Sequence, residues 1–264
     1  LAQFGTRRLG SEAFDRLIDP MASGVFAGDA GKLSLKSCFP RINEVETEYG
    51  SLIRGLIKLQ MKARREGNKK TPGPGPGGTL TSFEKGMSAL TDKLAEQLGS
   101  RIRIATPVND ISHDGNRYSL QLGNGEEVES DRLILAAPAH AQAGMLKTLD
   151  PALAALLDEI PYPALSVVCF GYRKQRVGKV LDGFGFLVPS KEQRAVLGTI
   201  VDSNVFPGRA PEDSILLRSM VGGARTPEFA LLPDEQLISR VCGALQDILD
   251  VNAEPDFIRI FRHQ

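Results

Sequence analysis

Apolar residues recur at helical spacing near the start of the chain. Phe14, Leu17, Ile18 and Met21 fall at i, i+3, i+4 and i+7 behind Ser11, a side chain able to cap. That spacing predicts a helix with Pro20 near its end. The run Ser23-Gly24-Val25-Phe26-Ala27-Gly28-Asp29 reads as a glycine-containing turn. A second helix is predicted from about Ile42 to Arg65, where Leu52, Ile53, Leu56, Ile57 and Leu59 form a wide apolar stripe. The alternating prolines and glycines of Pro72 to Gly78 then read as a loop or linker.

Beyond it the period shortens. Leu90, Leu94 and Leu98 still indicate a short helix. Ile102 and Ile104 alternate with charge, as in a strand, and Val108 and Ile111 precede a turn at His113 to Asn116. Tyr118, Leu120 and Leu122 alternate into Asn124-Gly125, a two-residue hairpin signal. The apolar run Leu133 to Pro138 reads as a buried strand ending at a loop. A helix is predicted over about Ala152 to Glu159. Four strands follow, Leu165 to Tyr172, Phe184 to Val188, Leu197 to Asp202 and Ile215 to Val221. An amphipathic helix carries Leu237, Ile238, Val241, Leu245, Ile248 and Leu249, and Phe257 to Phe261 alternates as a last strand. The plan is helical, then mixed, then mostly antiparallel: α+β character joined to part of an α/β unit.

Composition narrows the function classes. Lys+Arg and Asp+Glu both count 32, so bulk attraction to nucleic acid is not implied. Basic residues do cluster locally, with Lys58, Lys62, Arg64, Arg65, Lys69 and Lys70 at the end of the second helix. They read as a solvated helix end or as a membrane-surface patch beside an amphipathic helix. Cys38, Cys169 and Cys242 are far apart with no CxxC pair, which suits a reducing compartment and packing roles. The three histidines are equally scattered, so no zinc or iron site is expected. No apolar run approaches the about 20 residues of a membrane-spanning helix. The chain opens on Leu1 and stops just after a strand-like run, so an internal piece of a longer protein is expected.

Short catalytic motifs are missing: no glycine-rich GxGxxG loop between a strand and a helix, and no HExxH or GxSxG. Carboxylate pairs such as Glu126-Glu127 and Asp158-Glu159 read as surface charge. The longer stretches are more informative. Arg7-Arg8-Leu9-Gly10-Ser11-Glu12 continues to Leu17-Ile18-Asp19-Pro20-Met21-Ala22-Ser23-Gly24 and on through Ala27-Gly28-Asp29 to Lys32-Leu33-Ser34-Leu35 and Phe39-Pro40. Gly183-Phe184-Gly185-Phe186-Leu187-Val188-Pro189-Ser190 is the second stretch. Leu197-Gly198-Thr199-Ile200-Val201-Asp202-Ser203, closing on Phe206-Pro207-Gly208-Arg209-Ala210-Pro211, is the third, and Met220-Val221-Gly222-Gly223-Ala224-Arg225 the fourth. In this order they resemble the oxygen-dependent protoporphyrinogen oxidase family of flavin enzymes.

The resemblance implies a substrate domain with a mostly antiparallel sheet plus helices, a helical membrane-facing part and a partial, Rossmann-like FAD-binding domain. The helical part would be 1–76, the FAD-binding part 77–138 and the substrate-binding part 139–264. Ser23, Gly24, Phe184, Gly185, Leu187, Ile200 and Met220 match positions lining the porphyrin pocket. Val108, Ala136, Ala137 and Pro138 match segments near the FAD. Lys85 stands where the family usually carries a second glycine. The implied reaction is oxidation of protoporphyrinogen IX to protoporphyrin IX with FAD and O2, in haem synthesis. No catalytic side chain is implied, because the cofactor carries the chemistry. Rival readings are a coproporphyrinogen III oxidase, another flavin amine-oxidase relative such as a carotene desaturase, and a non-enzymatic porphyrin-binding module. The expected setting is cytoplasmic, with a membrane surface and a second copy of the chain as candidate partners.

Overall fold

The computed structural model describes residues 1–65, 80–178 and 181–263. In chain order the longer helices are α1 (Ala2–Leu9), α2 (Asp19–Phe26), α3 (Pro40–Tyr49), α4 (Leu52–Arg65), α5 (Ser88–Leu98), α6 (Ala139–Leu146), α7 (Pro151–Asp158) and α8 (Asp234–Leu249). The strands are β1 (Val108–His113), β2 (Tyr118–Leu122), β3 (Glu127–Ser130), β4 (Leu165–Arg173), β5 (Gly185–Leu187), β6 (Gly198–Val201), β7 (Ser214–Gly222) and β8 (Phe257–His263). Two compact units result: 1–82 with 163–264, and 83–162.

The first unit is built on a five-stranded antiparallel sheet in the order β5-β6-β7-β4-β8. Burial alternates along β4 and β7, as a strand with one covered face requires. Val168, Phe170 and Tyr172 on β4 and Ile215, Leu217 and Val221 on β7 form one core with Leu237, Val241 and Leu245 of α8. The apolar periodicity of α8 puts those three on one stripe, and Asp234 and Glu235 in its first turn suit the helix dipole. On the opposite face, α2 meets β5.

The second unit is a three-stranded antiparallel sheet, β1-β2-β3, with α6 and α7 packed on it. Ile111 is fully buried against Leu146 and Ala154. Asn124-Gly125 makes the hairpin, with Gly125 at φ +84°. The division differs from the boundary expected at 138/139. Residues 139–162 belong with β1 because Leu146 and Ala154 bury the Ile111 side chain.

Several local expectations are corrected. Residues 23–26 are helical, and the turn begins at Ala27, left-handed at φ +49°. The helix read over 42–65 is two, parted where Gly50 adopts φ +65° at the end of α3. Ile102 and Ile104 lie in no strand. Nor does the run Leu133 to Pro138: no neighbouring strand pairs with it among the described residues, and Ile134 is 91% exposed. Helix α1 was not anticipated. The Pro72 to Gly78 linker, Lys69 and Lys70 lie outside the described residues.

Candidate functional site

A cavity of the first unit forms on the face of β5, β6 and β7 turned away from α8. Register sets its floor. Leu187 opposes Gly198, which opposes Met220, and Gly185 opposes Ile200. Leu187, Ile200 and Met220 therefore point to the same side of the sheet, away from α8. Two glycines let β5 lie this close to β6. A Cβ at Gly185 would sit 2.1 Å from the Thr199 carbonyl oxygen, and one at Gly198 2.6 Å from that of Phe186. Gly185 also holds φ +145°, a conformation side chains rarely adopt.

Helix α2 and the turn before it form the opposite wall. Residues Phe14–Ile18 make a π-helical turn that runs into α2. Arg16, Pro20 and Gly24 are spaced i, i+4, i+8 and line the cavity together with Leu17 and Val25. Gly24 passes so near the sheet that its added Cβ would lie 2.4 Å from Leu187 Cδ2. The slot holds about 480 Å³, with Phe184, Phe186 and Thr199 completing its lining. That is within the size range of small-molecule sites, about 300–1,000 Å³. Its lining is mainly apolar. The Thr199 hydroxyl is already paired with Ser219, 2.8 Å away and buried.

A charged clamp fixes the wall to the sheet. Asp19, only 2% exposed, takes both terminal nitrogens of Arg225, at 2.5 and 3.1 Å. It also accepts from the Ser190 backbone N–H at 3.3 Å. Arg225 donates further to Asp29 at 3.0 Å, and the Ala224 N–H reaches the Ala27 carbonyl at 2.7 Å. Burial alone would raise the Asp19 carboxyl, but hydrogen bonds from Arg225 and Ser190 and the guanidinium charge hold it below its ordinary value. The Gly31 N–H, then Arg225, does the same for Asp29. The Arg225 guanidinium is held more firmly protonated, chiefly by its bond to Asp19.

Of the residues singled out for the pocket, the structure brings Gly24, Phe184, Gly185, Leu187, Ile200 and Met220 onto this one slot. Ser23 is not among its lining. It is buried in α2 and its hydroxyl donates to the Asp19 and Pro20 carbonyls. Arg16, Leu17, Pro20, Val25, Phe186 and Thr199 were missed, as was Arg225 behind the wall. Continuing the helical period of Leu17 through Pro20 to Gly24 finds the lining face, but the glycines of Ser23 to Asp29 read as a turn and hide it.

The residues singled out for the flavin lie in the second unit. Val108 is half-buried at the start of β1, an edge strand, and packs with Ile111 and Tyr118. Ala136 is exposed, the Ala137 carbonyl accepts the Gln142 side-chain amide, and Pro138 precedes α6. None of the four lines that unit's cavity of about 400 Å³, between Tyr118, Leu133, Leu135 and Leu149. A flavin's pyrophosphate needs a cradle of backbone N–H groups. Gly73, Gly75 and Gly78 have the GxGxxG spacing, but Pro74 and Pro76 carry no N–H, and these residues lie outside the described ones. The four residues that match flavin positions do not themselves form such a cradle.

Comparison with known proteins gives the family. The chain belongs to the flavin-containing amine oxidoreductase family, whose model matches residues 1–264. It is 35% identical over 262 residues to the chloroplastic protoporphyrinogen oxidase of Nicotiana tabacum, covering 94% of this chain and 47% of that protein. It is 32% identical over 263 residues to the coproporphyrinogen III oxidase of Bacillus subtilis, covering 99% and 55%. A solved structure of a candidate protoporphyrinogen oxidase from Exiguobacterium superposes with a TM-score of 0.77 at 26% identity, covering 99% of this chain and 54% of that one. The chain spans about half the length of the relatives it matches.

Proposed function

We propose that the complete protein oxidises protoporphyrinogen IX to protoporphyrin IX with FAD and O2. The observation that carries this reading is the apolar slot between α2 and β5–β7. It gathers six of the seven residues that match porphyrin-pocket positions. When bound, FAD supplies the hydride acceptor. The work of this chain's own residues is to bind and orient. Leu187, Ile200 and Met220 offer an apolar floor to a flat tetrapyrrole. Gly24 and Pro20 bring the opposite wall close, and the Arg225 clamp holds the separation. Such a site excludes water from the substrate and needs no acid or base of its own. On this reading the first unit is the substrate-binding part and the second a portion of the flavin-binding part.

A coproporphyrinogen substrate is the second reading, favoured by the similarity to the Bacillus subtilis enzyme. Turnover of the purified complete protein on both porphyrinogens, followed by porphyrin fluorescence, separates the two. Faster oxidation of protoporphyrinogen is expected. Oxidation of neither, at full flavin content, would leave a binding module without this activity. We also propose that α4 rests on a membrane surface. Ile53, Leu56, Ile57 and Met61 are exposed on it beside Arg54, Lys58 and Lys62. No helix among the described residues is long and apolar enough to cross a membrane.

A further inference from the structure

We propose that Arg16 is an anion anchor at the mouth of the slot, binding a carboxylate carried by the flat apolar ligand inside. The proposal deepens the porphyrinogen reading and rests on it. Among the described residues Arg16 is the one charged member of the slot's lining; every other lining residue is apolar except the committed Thr199. A fully apolar slot would hold an uncharged ring equally well. A cation set into its rim selects a ligand that is apolar in the middle and anionic at its edge.

The groups around Arg16 leave it available. Asp15, its neighbour, is taken by Lys191 at 2.5 Å, and Asp19, one turn on, is taken by Arg225. Among the described residues Arg16 itself pairs with Glu12 alone, at 3.3 Å, with the two side chains 74% and 80% exposed. An exposed i,i+4 pair of that kind is weak and screened by solvent. A ligand carboxylate held by the slot exchanges for Glu12 at little cost and gains the planar, two-pronged geometry that guanidinium offers. Arg16 also lies in the π-helical turn Phe14–Ile18, one turn from Pro20 and two from Gly24 on the lining face. Such turns often mark functional positions. Nothing in the fold's packing requires an arginine there, since the side chain is exposed.

The test uses the complete protein and two probes, deuteroporphyrin IX free acid and its dimethyl ester. Binding is measured by porphyrin fluorescence in wild type, Arg16→Gln and Arg16→Lys. The Gln variant is expected to bind the free acid about tenfold more weakly, a loss typical of one charge-assisted hydrogen bond. It should bind the ester as wild type does, with unchanged flavin content. The Lys variant should recover part of the loss, and added salt should erode the wild type's preference for the acid. In turnover, KM rises and kcat holds. Equal weakening of acid and ester, or no change in either, overturns the anchor while leaving the slot in place. Wild-type protein that binds neither probe overturns the slot reading and the anchor with it.

Discussion

A methyl group at residue 24 has one direction to go, into Leu187. The clashing atom is the far end of a flexible side chain, so Leu187 swings into the slot and the backbone stays put. Gly24→Ala is therefore expected to narrow the slot, raising KM several-fold while the melting temperature falls only slightly; about 1 kcal/mol is typical of mild overpacking. At Gly185 the obstruction is the Thr199 backbone oxygen, at a φ side chains avoid. Gly185→Ala should cost about 2–4 kcal/mol in denaturant unfolding. Equal stability of the two variants would contradict the close-packed geometry of β5 on β6. Asp19 sits apart from the lining but governs it. Asp19→Ala leaves Arg225 with Asp29 alone, and Arg225 keeps 30% of its side-chain surface in solvent. The expected loss is about 2–3 kcal/mol, below that for a wholly buried pair. These roles were only partly legible in the sequence. Gly24 and Leu187 stood out by resemblance, but their contact did not, because no local period links positions so far apart. Asp19 and Arg225 escaped for the same reason: a clamp between distant segments has no spacing signature.

Two elements carry consequences of their own. Helix α2 is tied to the sheet by carboxylates whose folded pKa values are depressed below the ordinary 3.8. A depressed carboxylate stabilises the fold above its unfolded pKa, and that contribution disappears as pH falls through the folded value. Unfolding free energy should thus be insensitive to this clamp above about pH 5 and decline below about pH 4. Asp19→Asn should flatten that decline in acid titrations followed by circular dichroism. Helix α4 is amphipathic with its apolar stripe in solvent. Ile57→Glu is expected to cut sedimentation of the complete protein with phosphatidylserine vesicles about tenfold or more, since one buried isoleucine contributes about 1.5–3 kcal/mol. Unchanged sedimentation would remove α4 from the membrane reading. At this scale the sequence was most legible where one face is buried: β4, β7 and α8 follow their expected periodicity closely. It failed where burial did not follow from apolarity. Leu133 to Pro138 reads as a core strand yet finds no partner strand among the described residues. The stripe on α5 likewise stays exposed, at Leu90, Leu94 and Leu98.

For the whole molecule, the family resemblance was legible across nearly the entire chain, and so was the change from helical to sheet-rich texture. The division into compact units was not, because it depends on α6 and α7 burying Ile111, a contact no composition shift marks. The central claim is that the slot between α2 and β5–β7 is where a porphyrinogen binds. The most direct measurement is turnover of protoporphyrinogen by the complete protein and its Leu187→Ala and Met220→Ala variants, with flavin content determined on the same samples. Both side chains line the slot, and neither belongs to the unit that holds the flavin-matching residues. The predicted result is a KM several-fold higher in each variant at wild-type flavin content. Loss of flavin in step with activity, or a KM unmoved by both substitutions, would contradict it.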